Sequence, residues 1–247
     1  MRTLFAVPLL LAAVLAAESR EPYIETFDNG PGGWVANRYH PLPIWDGAAY
    51  CFGPWYLDSH HAPPGAGYLH MLMYLHTKRV QSAVGRTNRF VERNQSTDLT
   101  NAKLTVRLRG EMDLQGAQLV LLAQASTQGT TANFVLSGQP FRITHDWSEQ
   151  IVRLAPDPAQ WTCLGARESM KHRYGCADIA AVLKDVNVDL IFVLFPLKVV
   201  PIGDVKEPHK LRAGQDYPDE PSYQVQEKYL PKGIVMFDSV RIDYPNP

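Results

Sequence analysis

The residues best suited to chemistry crowd between Trp34 and His76, a stretch that carries five of the eight histidines. Its second half, Tyr68 to His76, alternates with period two. Read as a strand, it sets Leu69, Met71, Met73 and Leu75 on one apolar face and Tyr68, His70, Leu72, Tyr74 and His76 on the other. The apolar face is expected to enter the core. The opposite face then offers hydroxyl and imidazole groups from a rigid sheet, which suits a polar ligand with apolar faces such as a sugar ring. At a rise of roughly 3.3 Å per residue, His70 and His76 stand about 20 Å apart and cannot share a metal, whereas Tyr74 and His76 lie about 7 Å apart. Tyr74 with His76, or Tyr68 with His70, can therefore flank one substrate unit as proton acceptor and donor, and the competing reading is a Tyr/His face that packs beneath a loop or a second layer.

Three further segments add binding chemistry. The run "PWYLDSHHAPPGAG" brings Trp55 and Tyr56 as stacking surfaces, on a loop stiffened by Pro63 and Pro64 and turned by Gly65 and Gly67. In "AKLTVRLRGEM", Leu104, Val106 and Leu108 alternate with Thr105, Arg107, Arg109 and Glu111, giving a core face and a cationic face. Two guanidinium groups on a sheet face can hold carboxylate or sulfate bidentately; the plainer reading is a solvated outer sheet with Arg107 paired to a carboxylate. The parity of "GAQLVLLAQAS" separates Gln118 and Gln124 from Leu119 and Leu121, so Gln124 is expected to join the polar face.

Several chemistries are excluded by pattern. "GEMDLQG" is close to the acidic ExDxxE strand of one class of sandwich glycosidases, but Gly116 stands where the last acid is needed. There is no GxSxG elbow, no phosphate-cradling glycine loop, no CxxC and no HExxH. With 24 Lys plus Arg against 25 Asp plus Glu, the chain lacks the basic surface that nucleic acid requires. Asn94 in "NQS" is a glycosylation acceptor only in a source that makes N-glycans.

Positioning these side chains falls to a predominantly β chain. The start, "MRTLFAVPLLLAAVLAAES", has one Arg, an apolar stretch from Leu4 to Leu15 and small residues near Ala17, the pattern of a secretory leader over residues 1–17. That stretch falls short of the roughly 20 residues that span a bilayer, so the mature protein is expected to be secreted, periplasmic or extracellular, with no membrane insertion once the leader is removed. Residues 18–247 read as one antiparallel β-sandwich, because strand-like runs bounded by turns recur without a linker or repeat. One short helix is predicted at "ADIAAVLKDVN", where Ile179, Val182, Leu183 and Val186 share a face and should cover a sheet edge or an end of the sandwich. From Pro201 to Lys232 prolines and charges interrupt every apolar run, giving a long loop that is either a lid over a groove or a solvated connection. Cys163 and Cys176 can close a short disulfide loop with Cys51 left over; three buried thiols are the alternative.

Together, "ETFDNGPGGW", "AKLTVRLRG", "GAQLVLLAQ", "ANFVLSGQPFRITHDWSEQIVRLAPDPAQW" and "VMFDSVRID" resemble the jelly-roll sandwiches of carbohydrate-binding modules and of the laminin B (domain IV) type. The resemblance covers most of the mature chain. It implies an all-β jelly-roll-like sandwich with its termini on adjacent strands and extracellular binding rather than a particular reaction. It also implies a structural calcium held by Glu25 or Asp28 with Asp238; otherwise Asp28 and Asn29 only form the turn before Gly30, and no cofactor is required. Three functions are open at this stage. One is a secreted glycan-binding module using Trp55, Tyr56, Tyr68, Arg107, Arg109 and Gln124. Another is a polysaccharide lyase or related carbohydrate-active enzyme, in which Tyr74 and His76 or His70 exchange protons while an arginine neutralises a uronate. The last is a structural or adhesion module.

Overall fold

The computed structural model describes residues 18–36, 40–53, 68–78, 87–204 and 225–245. Residues 1–17, where a leader is expected, Trp55, Tyr56 and most of the Pro201–Lys232 segment lie outside the described residues. In chain order the strands are β1 (Tyr23–Glu25), β2 (Trp34–Ala36), β3 (Ile44–Trp45), β4 (Ala48–Phe52), β5 (Tyr68–His76), β6 (Lys103–Asp113), β7 (Gln118–Thr127), β8 (Thr130–Val135), β9 (Ser148–Arg153), β10 (Thr162–Cys163), β11 (Tyr174–Gly175), β12 (Asp189–Leu197) and β13 (Lys232–Asp243).

They form two sheets. The first runs β3-β4-β13-β6-β9 with β1 also on β13; the second runs β10-β8-β7-β12-β5-β2 with β11 on β8. All pairings are antiparallel except β11 with β8. Of the principal strands β4 to β9, β12 and β13, the first sheet takes the first, eighth, third and sixth, and the second takes the second, seventh, fourth and fifth. That is jelly-roll order, two Greek keys folded face to face. The first strand, β1, pairs with the last, β13, as the resemblance implies.

The core follows from alternation. Leu104, Val106 and Leu108 of β6 and Val235, Phe237 and Val240 of β13 meet Leu119 and Leu121 of β7 and Leu190, Phe192 and Leu194 of β12 between the sheets. The second sheet is apolar on its outer face as well, where Tyr74, Val120, Leu122, Val135, Ile191 and Val193 form a separate buried cluster. Burial on both faces explains why "DLIFVLF" reads as a continuous apolar run. The predicted helix is α2 (Ile179–Lys184), capped by the Asp178 carboxylate, and its buried face packs into the main core beside β7. A second helix, α1 (Arg89–Glu92), was not expected; the Asn88 side chain caps it by accepting from the backbone N–H of Phe90 and Val91.

Each of the carboxylates tied to calcium by resemblance has a partner of its own. Glu25 is fully buried and accepts from the Phe27 N–H at 3.1 Å and from the Arg89 guanidinium at 2.5 Å. Its second oxygen abuts Gly32 at φ 59°, where a Cβ would lie 1.7 Å away, so only glycine fits that turn. Asp28 accepts from the Thr26 hydroxyl at 2.7 Å, and Asp238 pairs with Arg107 at 2.8 Å. Among the described residues no group of three or more His, Cys, Asp or Glu side chains is placed to hold a metal. Arg89 supplies the positive charge at Glu25.

Burial nonetheless pushes the Glu25 carboxyl above its ordinary range, outweighing the Phe27 hydrogen bond and Arg89. A raised folded-state value means the folded protein holds this proton more tightly than the unfolded chain. The resulting stability is present below the unfolded value and is lost as pH rises through the folded one. The stability of the wild type minus that of Glu25→Gln, from urea unfolding, should therefore fall as pH rises from 4 to 7; a difference that grows with pH would contradict it.

Cys163 and Cys176 are disulfide-bonded, with Cα atoms 5.9 Å apart. Cys51 is a buried free thiol whose pKa burial pushes up to about 12. A thiol held so far from its thiolate form is a poor nucleophile. Native protein treated with iodoacetamide should gain no label by mass spectrometry and one label per chain after unfolding without reductant; rapid native labelling would contradict the placement of Cys51.

Candidate functional site

Strand β5 does not keep strict alternation. Met73 lies opposite Phe192 while Met71 lies opposite Val193, so Leu72 is an extra residue, a β-bulge. The bulge reverses which face each side chain takes. On its C-terminal side, Met73 and Leu75 enter the inter-sheet core and Tyr74 and His76 lie on the outer face of the second sheet. On its N-terminal side, Leu69 and Met71 join the outer cluster, while Tyr68 packs on the main core. His70 and Leu72 face a cleft of about 180 Å³ that His40, Pro43, Tyr50 and Phe52 also line. The Tyr/His face expected from the sequence is thus divided between two surfaces.

His76 is fully buried. Its Nδ1 bonds to the Asp189 carboxylate directly opposite on β12, and a carboxylate acceptor places the hydrogen on Nδ1. The Tyr74 ring meets the imidazole edge-on at 5.2 Å. Across the next two strands the row continues. Gln124 lies opposite Asp189, and its amide donates to the Asn133 side chain at 2.6 Å. Four polar side chains on four adjacent strands therefore sit beside an apolar cluster, with His76, Asp189 and Asn133 all buried. Gln124 belongs to this row and not to the arginine face, because β7 and β6 are in different sheets.

The arginines stand on the opposite side of the molecule. With Leu104, Val106 and Leu108 inward, Arg107 and Arg109 project from the outer face of the first sheet. Packed sheets are about 10 Å apart and their outer faces point away from each other, so one sugar unit cannot touch Arg109 and His76 together. A lyase step shared between these groups has no geometric basis.

The outer face of the first sheet holds a different constellation. Asp46 and Gly47, at φ 51° and 70°, form the two-residue turn that joins β3 to β4. Positive φ at both positions is the type I′ hairpin, for which Asp-Gly is a preferred pair. The hairpin presents Trp45 at 64% exposure and Phe52 at 52%, with Tyr50 between them. Ring centroids are 5.5 Å apart for Trp45 and Tyr50 and 5.3 Å for Tyr50 and Phe52. Tyr50, Met236 and Arg109 are direct cross-strand neighbours on β4, β13 and β6, a span of roughly 10 Å. Beyond them Trp147 lies under both guanidinium groups, 5.0 Å from Arg107 and 4.7 Å from Arg109. Trp45, Asp46, Arg109 and Met236 line a cleft of about 260 Å³ on this face.

Its parts have complementary chemistry. Trp45 offers an open aromatic face, Met236 an apolar floor, Asp46 an acceptor and Arg109 a planar set of donors. Arg107 is partly neutralised by Asp238. Sequence reasoning named the two arginines but missed Trp45, Asp46, Tyr50, Phe52 and Trp147. The available signal was Asp46-Gly47 flanked by "IW" and "AAYCF", a hairpin whose alternation puts Tyr50 and Phe52 on the side opposite Ala49 and Cys51.

No protein-family model matches the chain, and no curated protein is similar to it at a significant level. Among solved structures, it is similar to one from work on endo-acting O-glycanases that human gut microbiota members express to initiate mucin breakdown, at 8% identity, covering 91% of this chain and 99% of that one, with a TM-score of 0.34. It is also similar to the L4b domain of human laminin alpha-2, at 8% identity, covering 92% and 100%, with a TM-score of 0.33. Likeness this slight carries no inference about activity.

Proposed function

We propose that the protein is a secreted glycan-binding β-sandwich whose ligand lies across the outer face of the first sheet. The observation that carries this reading is the exposed Trp45 beside a cleft that combines aromatic, apolar, carboxylate and guanidinium groups. A large exposed indole raises the free energy of the isolated protein and is typical of a surface that meets a ligand. A sugar ring, with apolar C–H faces and polar edges, matches that mixture. Strand-borne side chains also hold their geometry better than loop-borne ones. The apolar leader and the Cys163–Cys176 disulfide support an oxidising, extracellular setting.

Affinity gels containing neutral and acidic polysaccharides, run alongside absorbance assays for unsaturated uronate products, test the proposal. Retention without product, lost in Trp45→Ala, is the expected result. Product formation would favour the lyase. Absence of retention on every polymer would favour an adhesion module, since exposed aromatics and arginines also populate protein interfaces.

A further inference from the structure

Resting on that reading, we infer that the ligand is an acidic glycan whose carboxylate or sulfate is seated on Arg109. The first sheet's outer face carries two adjacent arginines with different partners. Arg107 is matched by Asp238 at 2.8 Å, whereas Arg109 forms no ion pair among the described residues. Arg109 is not loose either. Its guanidinium lies over the Trp147 ring at 4.7 Å while the same side chain lines the cleft with Trp45, Asp46 and Met236. A guanidinium stacked on an indole keeps its N–H edges available in a fixed plane, the arrangement that recognises planar or tetrahedral oxyanions bidentately.

The neighbours decide which anion fits. Met236 is buried and Trp45 is an exposed ring, so the anion must arrive on a scaffold with an apolar face and not as a bare ion. Asp46 borders the same cleft, where its carboxylate disfavours a second negative group and accepts hydroxyl hydrogens instead. One anionic substituent and several hydroxyls per repeat describe a uronate or sulfated polysaccharide. A densely charged polyanion fits less well.

The test is affinity electrophoresis of the whole mature protein in gels containing dextran, sparsely substituted dextran sulfate or alginate, at 50 and 500 mM salt. Wild-type protein should be retarded by an acidic polymer far more than by dextran, with retention falling at the higher salt. Alginate alone identifies carboxylate, dextran sulfate alone identifies sulfate, and either supports the inference. Arg109→Gln should weaken that retention by roughly tenfold or more. Arg109→Lys should restore only part of it, because charge is kept and the fork is lost. Arg173→Gln, an exposed arginine on the segment beside the second sheet, should leave it unchanged.

Equal retention on dextran and the acidic polymers, unaltered by Arg109→Gln, would overturn the acidic-ligand inference and leave glycan binding standing. Equal losses in Arg109→Gln and Arg173→Gln would reduce the effect to general charge and also overturn it. No retention on any polymer would remove the glycan reading itself.

Discussion

His76→Ala is expected to destabilise the protein by about 3–5 kcal/mol, because it removes a large buried ring and leaves the Asp189 side chain without its hydrogen-bond partner. The imidazole is fully buried, and Asp189 opposite it is only 8% exposed. Deletion leaves a carboxylate among apolar neighbours and removes the ring that Tyr74 packs against at 5.2 Å. For a chain of this size the melting temperature should fall by roughly 6–20 °C. Adding Asp189→Asn to His76→Ala should recover part of the loss, because the stranded charge is then gone. A loss below about 1 kcal/mol in urea unfolding would mean that water reaches the pair and that the row is not structural.

Trp45→Ala has the opposite profile. At 64% exposure the indole contributes little to folding, so unfolding free energy should stay within about 0.5 kcal/mol of the wild type. Affinity for a retained polysaccharide should drop about 30-fold, equivalent to about 2 kcal/mol and typical of a central aromatic contact. Phe52→Ala, at the far end of the aromatic row, should cost less. Unchanged affinity in Trp45→Ala, titrated by isothermal calorimetry, would move the ligand off this face. The two variants separate a buried polar row that holds the second sheet together from an exposed platform on the first.

That separation was only partly legible in the sequence. Alternation in β6 identified its core residues and put Arg107 and Arg109 on one face, because that strand is regular from Lys103 onward. The spacing of Ile179, Val182, Leu183 and Val186 revealed α2 for the same reason. In β5, one inserted residue at Leu72 reverses the parity, and nothing in "YLHMLMYLH" marks where a bulge will fall. Asp189 escaped notice because it opens an apolar run, and only strand pairing shows that it faces His76. Gln124 was placed with the arginines because parity within a strand does not say which sheet the strand enters. Trp45, Tyr50 and Phe52 were less legible for a different reason: β3 is two residues long, too short for its alternation to show a strand before the Asp46-Gly47 turn.

The most direct measurement of the central claim is chemical-shift mapping of isotope-labelled protein during titration with short oligosaccharides from the retained polysaccharide. Binding on the first sheet predicts progressive shifts at the Trp45 and Trp147 indoles, the Arg109 side chain and the amides of β4, β6 and β13, with His76 and Gln124 unmoved. Shifts confined to His76, Gln124 and the strands of the second sheet, with the Trp45 and Trp147 indoles silent, would contradict the account.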